Sequence, residues 1–459
     1  MYEVVLRGGI VVTGAMEGLA DIGIEDGVVA QLGGSMEGRR EIDATGLHVL
    51  PGGIDVHVHL STPHEQRPGE EVWVDDFRSG SQAAVAGGVT TIGNMTFQRA
   101  GESLHAALER DHELAREQAL IDYVLHPVVT DPRPEVVAEI PQLAAEGHTS
   151  IKVFMVFPEF DSRIAEYTRA IAAAGRAGSL TMIHCEDSNA IHCACEALLA
   201  AGRGQLSNFP ASRPVFAEQV AAQRAVGICR STGAPMYVVH LSSQAALDVC
   251  RDARADGVPL LVETRPIYLH LTEERFAEPD AGKYVGAPAL RSGSDRSRLW
   301  NGLRAADIQT CCTDHAPWNL RQKLDPSLNV ATARQGVADL ETMLPMLLSE
   351  GVGPGQLTPS RFVEVTSTNA AKLFGLYPGK GTIAVGSDAD LVVWDLSDRR
   401  TVDGARMRSR AGYSVYDGWE VTGWPAMTLS RGEVIFEQGV ISGRPGRGRW
   451  LRRGPTQPL

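Results

Sequence analysis

The sequence contains no hydrophobic run long enough to cross a membrane. A membrane-spanning helix needs roughly 18 consecutive apolar residues, and no stretch of this chain approaches that length. Residues 1–14, MYEVVLRGGIVVTG, also lack the basic segment and apolar core of a secretion signal. We therefore predict a cytoplasmic protein with no membrane partner.

Positively charged residues are outnumbered by negatively charged ones. The chain has 43 lysines and arginines against 56 aspartates and glutamates, which gives a formal net charge of −13. Nucleic acids and anionic membranes are bound through basic surfaces, so neither is expected as a partner. The 7 cysteines form no CxxC pair and no zinc-ribbon spacing, and we interpret them as reduced thiols that pack in the core.

The remaining composition is that of an ordinary globular protein, 43% hydrophobic and 22% charged over 459 residues. Short apolar runs typical of strands recur along the chain, and stretches of helical period separate most of them. The predicted strands are 53–60, 89–95, 121–128, 150–157, 180–186, 235–241, 259–265 and 308–316. The predicted helices between them include 76–86, 102–119, 134–146, 217–229 and 244–255. This α/β pattern predicts a (β/α)8 TIM barrel, whose active site lies at the carboxyl ends of the strands.

The two chain ends have a different pattern. Residues 1–51 and 380–440 carry short alternating apolar runs punctuated by glycine, without helical repeats between them. Because neither end has enough strands for a stable core, we predict that they pair into one small β-sandwich domain beside a barrel domain of residues 52–379. Residues 441–459 are rich in glycine, proline and arginine, and are predicted to form a C-terminal tail, as a surface arm or a subunit contact.

Potential metal ligands lie at or near the ends of several predicted strands. His57 and His59 are two residues apart on one strand, so both side chains point to the same face and can hold one ion. His184, His240 and Asp314 end three further strands. Because the strand ends of a barrel converge, these side chains are expected to meet at one metal centre.

Lys152 differs from these residues, because a protonated amine repels divalent cations and offers no lone pair. It lies in the apolar run SIKVFMVF, where burial can lower the pKa of its amine. CO2 can add to the neutral amine to form a carbamate, an anion whose oxygens can bridge two metal ions about 3.5–4 Å apart. The pattern thus predicts two divalent ions bridged by a carboxylated Lys152.

Several motifs together point to a known family: PGGIDVHVHL, SIKVFMVF, MIHCED, YVVHLSS, TDHAP and TSTNAAKLFGLYPGKGTIAVGSDADLVVWDL. They resemble the cyclic amidohydrolases, most closely the dihydropyrimidinase and hydantoinase branch, over almost the whole chain. The resemblance implies a homotetramer or homodimer with two divalent ions, usually zinc, that opens a small cyclic amide by attack of a metal-bridging hydroxide. The metal ligands that it implies are His57, His59, Lys152, His184, His240 and Asp314.

The resemblance also implies roles around the substrate. Asp314 would be the catalytic acid and base, which takes a proton from the attacking hydroxide and delivers it to the leaving nitrogen. Phe157, Ala287 and Gln335 would contact the substrate, at positions where the branch usually has tyrosine, serine and asparagine. Phe157 is the most serious departure, because the tyrosine hydroxyl supports the developing oxyanion. We expect a larger or more apolar ring substituent than that of dihydrouracil, in a pocket shaped by Phe157 and loop 62–73.

Two alternatives stay open. One is an allantoinase or another cyclic ureide hydrolase of the same superfamily, which fits the segment LSSQAAL. A carboxylated pyrimidine is disfavoured, because Ser61 stands where dihydroorotase-like relatives carry an arginine. The other alternative is a non-catalytic scaffold, as some dihydropyrimidinase-like proteins of nervous tissue are. It is the least favoured, since those proteins have lost metal ligands that this chain retains.

Overall fold

The computed structural model describes residues 1–60 and 72–459. Ser61 and most of the predicted pocket loop, residues 62–71, lie outside the described residues. The N-terminal strands are β1 Tyr2–Val12, β2 Glu17–Glu25, β3 Val28–Leu32, β4 Gly38–Asp43 and β5 His48–Pro51. Strand β1 lies between antiparallel β2 on one side and parallel β4 and β5 on the other, so it organises this part of the fold.

In the described part of the chain, eight parallel strands follow and pair in chain order. They are β6 Gly53–Val58, β7 Val89–Phe97, β8 Asp122–Val128, β9 Ser150–Phe154, β10 Leu180–His184, β11 Met236–Val238, β12 Leu260–Thr264 and β13 Thr310–Cys311. Just beyond β13, His315 forms a parallel bridge with Val58 and accepts a hydrogen bond of 2.8 Å from the His59 amide at its carbonyl. The chain after the last strand thus returns to the first, and the predicted (β/α)8 barrel is confirmed.

The C-terminal strands complete the N-terminal sheet. They are β14 Leu391–Thr401, β15 Glu420–Ser430, β16 Glu433–Glu437 and β17 Val440–Ile441. Strand β14 pairs antiparallel with β5, so both chain ends share one mixed sheet, as predicted. Its apolar side chains, among them Ile22, Val49 and Leu391, form a core cluster of their own.

Helices connect the barrel strands and follow the predicted spans closely. Asp76 caps the first of them, because its side chain accepts the Ser79 amide, and Pro134 begins the third at a position where proline costs no hydrogen bond. The helices are α1 Phe77–Ala86, α2 Leu104–Gln118, α3 Pro134–Glu146, α4 Pro158–Ser162, α5 Ile164–Arg176, α6 Ser188–Ala200, α7 Phe209–Ser212, α8 Val215–Thr232, α9 Gln244–Ala255, α10 Pro266–His270, α11 Gly293–Arg304, α12 Leu320–Lys323, α13 Met343–Leu347, α14 Pro359–Val363 and α15 Asn369–Leu373. No helix within residues 1–60 and 72–459 is long and apolar enough to cross a membrane.

Seven of the eight barrel strands are shorter than predicted, and two of them differ most. Strand β11 ends at Val238 and β13 at Cys311, whereas the sequence predicted strands over 235–241 and 308–316. The physical reason is backbone conformation: His240 and Asp314 have φ angles of 39° and 50°, in the left-handed region that ends an extended strand. Such strain in residues other than glycine is typical of functional sites.

Within the predicted tail, residues 441–459, the part from Arg449 to Arg453 runs along the amino-terminal side of the barrel strands. The Tyr123 amide donates to the Arg449 carbonyl, and the Leu451 amide donates to the Tyr123 carbonyl, both at 2.9 Å. Arg453 is only 4% exposed and donates to the Ser150 hydroxyl at 2.8 Å. The segment is thus hydrogen-bonded to the face opposite the strand ends that carry His184 and His240.

Candidate metal centre

The carboxyl end of β6 and the turn after β13 bring three potential metal ligands together. His59 Nε2 lies 2.8 Å from Asp314 Oδ1, and His57 Nε2 lies 3.2 Å from the same oxygen. One donor atom from each of these buried residues lies within 4.8 Å of the other two. Two imidazoles and a carboxylate at this spacing form a donor set suited to a divalent ion such as zinc.

The remaining predicted ligands border this cluster. Lys152 Nζ lies 3.3 Å from His57 Nε2. The His240 ring stacks on His57 with centroids 5.4 Å apart, and the His184 ring meets His240 edge-on at 4.4 Å. The structure therefore places all the predicted metal ligands in one region at the carboxyl end of the barrel.

Burial gives these side chains the protonation states that metal binding requires. Desolvation lowers the pKa of each of the four histidines predicted as ligands, so the rings are neutral and offer lone pairs. The Lys152 side chain is fully buried, and desolvation lowers its pKa to about 8. A free amine is thus accessible near neutral pH, as addition of CO2 requires.

Asp314 remains ionised in this setting. Burial by itself would raise its pKa, but the positive charge of Arg265, together with the hydrogen bond to His59, holds the pKa well below the usual aspartate value. Arg265 follows β12, is fully buried, and donates from Nη1 to Asp314 Oδ2 at 2.9 Å. The two carboxylate oxygens therefore face different partners, Oδ2 toward Arg265 and Oδ1 toward His57 and His59.

Two buried carboxylates orient the histidine rings. Glu263 on β12 accepts from His57 Nδ1 at 2.8 Å, and the same oxygen accepts from the His240 amide at 2.9 Å. Glu186 Oε2 lies 2.8 Å from His184 Nε2 and also pairs with Arg213. A carboxylate on one imidazole nitrogen directs the lone pair of the other nitrogen away from it and raises the basicity of the ring. The sequence prediction did not include Glu263, although a glutamate inside the apolar run PLLVET was the available signal.

A cavity of about 400 Å³ opens above the cluster. Phe157, Ala287 and Gln335, the predicted substrate contacts, all line it. The Phe157 ring stacks on Phe154 with centroids 4.8 Å apart, and Phe154 stacks in turn on Phe97. Further aromatic lining residues that the sequence prediction missed are Phe97, Phe154 and Trp318. One wall of the cavity is therefore apolar and aromatic, while His59, His184, His240 and Asp314 form its floor.

Comparison with known proteins agrees with this geometry. Residues 48–435 match the Amidohydrolase family. The chain is 37% identical over 462 residues to a D-phenylhydantoinase of Escherichia coli O9:H4 (strain HS), and the match covers 99% of both chains. The solved D-hydantoinase from Bacillus sp. AR9 superposes with a TM-score of 0.95 at 36% identity, covering 99% of this chain and 100% of that one. The dihydropyrimidinase from Brevibacillus agri NCHU1002 gives a TM-score of 0.94 at 34% identity, covering 99% of each chain. The chain belongs to the amidohydrolase family.

Proposed function

We propose that this protein is a metal-dependent cyclic amidohydrolase that opens rings of the hydantoin or dihydropyrimidine type. The proposal is supported by the buried cluster of His57, His59 and Asp314, of which His59 and Asp314 line an aromatic cavity. A small planar ring would fit in such a cavity with one carbonyl group toward the cluster. The relatives named hydantoinase and dihydropyrimidinase support the same ring chemistry.

The proposed cofactors are two divalent ions, zinc by preference, held by the six residues His57, His59, Lys152, His184, His240 and Asp314. Bound there, the ions would supply a hydroxide at neutral pH and polarise the ring carbonyl. Lys152 is proposed to react with CO2: its Nζ forms a bond to the carbon and loses a proton, which gives a carbamate. The amine with a pKa of about 8 supports this step. An intact mass higher by one CO2 under native conditions would test it.

The protein's own side chains organise the proton transfer. Asp314 is proposed to accept a proton at its carboxylate and to deliver it to the ring nitrogen, because an amide nitrogen leaves readily only when protonated. Arg265 holds Oδ2 at 2.9 Å, so the carboxylate cannot rotate freely away from the reacting groups. Glu263 and Glu186 keep the rings of His57 and His184 in fixed orientations.

The aromatic wall suggests the kind of substituent on the substrate ring. Phe157, at the position of the branch's usual tyrosine, presents a ring stacked on Phe154 and no hydroxyl group. An aromatic or branched aliphatic group at ring position 5 would bury apolar surface there, at about 25 cal/mol per Å². We propose 5-substituted hydantoins as better substrates than dihydrouracil, with Ala287 and Gln335 on the opposite side of the ring.

The test is a matched panel of 5-phenylhydantoin, dihydrouracil, allantoin and dihydroorotate, with protein reconstituted in zinc and bicarbonate. The expected result is the highest kcat/KM on the substituted hydantoin. A clear preference for dihydrouracil would contradict the role of the aromatic wall. Hydrolysis of allantoin alone would support the allantoinase alternative, which the comparisons do not favour. If the protein binds no metal and opens no ring, that result would support the non-catalytic scaffold alternative. The cytoplasmic location and the homotetramer or homodimer stay predictions.

A further inference from the structure

Lys323, the last residue of α12, is a buried lysine beside the cavity. Its side chain is 1% exposed, and its Nζ donates to the main-chain carbonyls of Val285, Arg334 and Gly336 at 2.5, 2.7 and 2.8 Å. These acceptors match the three N–H groups of an ammonium. The side chain is thus held by the backbone of other segments rather than by a carboxylate.

The carbonyls belong to two segments that lie far apart in sequence, 285–287 and 334–336. Both segments line the cavity through Ala287, Gln335 and Gly336. The Gly336 amide also donates to the Val285 carbonyl at 3.1 Å, so the segments touch directly. Lys323 therefore ties together two stretches of backbone that form the same side of the pocket.

The backbone at Gly336 has little room to move. Its φ is 122°, a conformation that side chains rarely allow, and an added Cβ would lie 2.4 Å from the Ala316 carbonyl oxygen. Segment 334–336 thus packs directly on the chain that follows Asp314. A shift of this segment would alter the distance between the pocket wall and the metal-ligand cluster.

We propose that Lys323 is a positioning residue for the substrate ring, which holds segments 285–287 and 334–336 so that their peptide groups can bind the ring. This inference rests on the proposed function. A cyclic ureide carries alternating N–H donors and C=O acceptors, which peptide groups complement. Such contacts are similar in the ground state and in the transition state, so their loss raises KM more than it lowers kcat.

The test compares Lys323→Met with Lys380→Met. Lys380 is a matched control, because it is also buried at 4% exposure and its Nζ contacts Asp122, Asp388 and Asp390 at 2.6–2.8 Å, away from the cavity. For Lys323→Met we expect the KM for 5-phenylhydantoin to rise on the order of 10-fold or more, with kcat within about 3-fold and zinc content unchanged. For Lys380→Met we expect a lower Tm with an unchanged KM.

Amide hydrogen exchange supplies a readout that does not depend on activity. Exchange in segments 285–287 and 334–336 should accelerate in Lys323→Met and stay at the wild-type rate in Lys380→Met. Lys323→Gln, which keeps two N–H donors on a shorter side chain, is made in parallel in case the methionine variant does not fold.

Three results would overturn the inference. An active wild-type protein whose Lys323 variants keep their KM would refute the positioning role alone. Unchanged amide exchange in both segments would show that the Lys323 hydrogen bonds do not hold them in place. Wild-type protein that opens no ring in the panel would instead refute the proposed function, and the substrate role of Lys323 would fall with it.

Discussion

Replacing Glu263 with glutamine should weaken metal binding while the barrel stays folded. The side chain is fully buried; Oε1 accepts from His57 Nδ1 and the His240 amide, and Oε2 accepts from the Tyr237 hydroxyl at 2.8 Å. A glutamine of the same shape can keep its oxygen toward His57 and His240. Its amide nitrogen can donate to the Tyr237 oxygen, because that hydroxyl can donate instead to Thr310 Oγ1 at 2.6 Å. The fold should therefore survive. The substitution removes the negative charge that Glu263 carries above its pKa, which burial raises to about 7, from the His57 hydrogen bond.

The expected loss of zinc affinity depends on how many of the proposed ligands Glu263 hydrogen-bonds. Mutation of the residue that hydrogen-bonds a metal-bound histidine typically costs about 10–100-fold in metal affinity, which is about 1.4–2.7 kcal/mol. Because Glu263 contacts both the His57 ring and the His240 backbone, we expect a value in the upper half of that range. Glu218→Gln is the matched control, since Glu218 is 2% exposed and accepts from the Ser242 amide and hydroxyl, not from a proposed ligand ring.

The assay is a competition titration of zinc between each variant and a chromophoric chelator, with Tm recorded alongside. Glu263→Gln should bind zinc about 30–100-fold more weakly than the wild-type protein, and Glu218→Gln should bind within about 3-fold of it. Equal affinity of the wild-type protein and Glu263→Gln would refute the reasoning. An equal loss in both variants would mean that burial of charge in general, and not orientation of His57, controls the affinity.

Three further predictions concern the chemistry of the site. Asp314→Asn should lower kcat by about 10²–10⁴-fold. It should also lower Tm, because the amide oxygen can still accept from Arg265 but the buried guanidinium loses its charged partner. Steady-state rates and calorimetry check this, and a rate within about 10-fold of wild type would exclude Asp314 as the proton carrier. Phe157→Tyr should raise kcat on dihydrouracil, by up to about 10²-fold if the hydroxyl reaches the oxyanion; unchanged kinetics on the substrate panel would show that the missing hydroxyl is not limiting. Lys152→Met should bind at most one tightly held zinc per chain, measured by elemental analysis, and a full complement of two would refute the bridging carbamate.

The proposed ligand set could be predicted because its members interrupt apolar runs. His57, His59 and His184 follow hydrophobic residues in strands, and the barrel topology brings strand ends together whatever lies between them. The barrel topology also predicted that Asp314 lies near His59, 255 positions away in sequence. In the structure, His59 Nε2 and Asp314 Oδ1 are 2.8 Å apart. Periodicity and topology were sufficient to predict that these side chains lie close together.

The supporting residues could not be predicted in the same way. Arg265 belongs to the polar end of a predicted strand, and only the three-dimensional packing shows that its guanidinium meets Asp314. The left-handed backbone at His240 and Asp314 was missed because neither is a glycine, and local propensity favours extended strands there. Arg453 lies in a segment whose composition indicates a surface position, yet its side chain is buried against Ser150. In each case contacts distant in sequence override the local signal.

Zinc dependence of hydantoin opening tests the central claim most directly. Metal-free protein would be titrated with zinc in the presence of bicarbonate, and the initial rate of 5-phenylhydantoin opening would be followed together with bound metal. We predict negligible activity without metal, a rise in activity that saturates near two ions per chain, and loss of activity when a chelator is added. Ring opening that is independent of added and bound metal, or no opening by fully loaded protein, would contradict it.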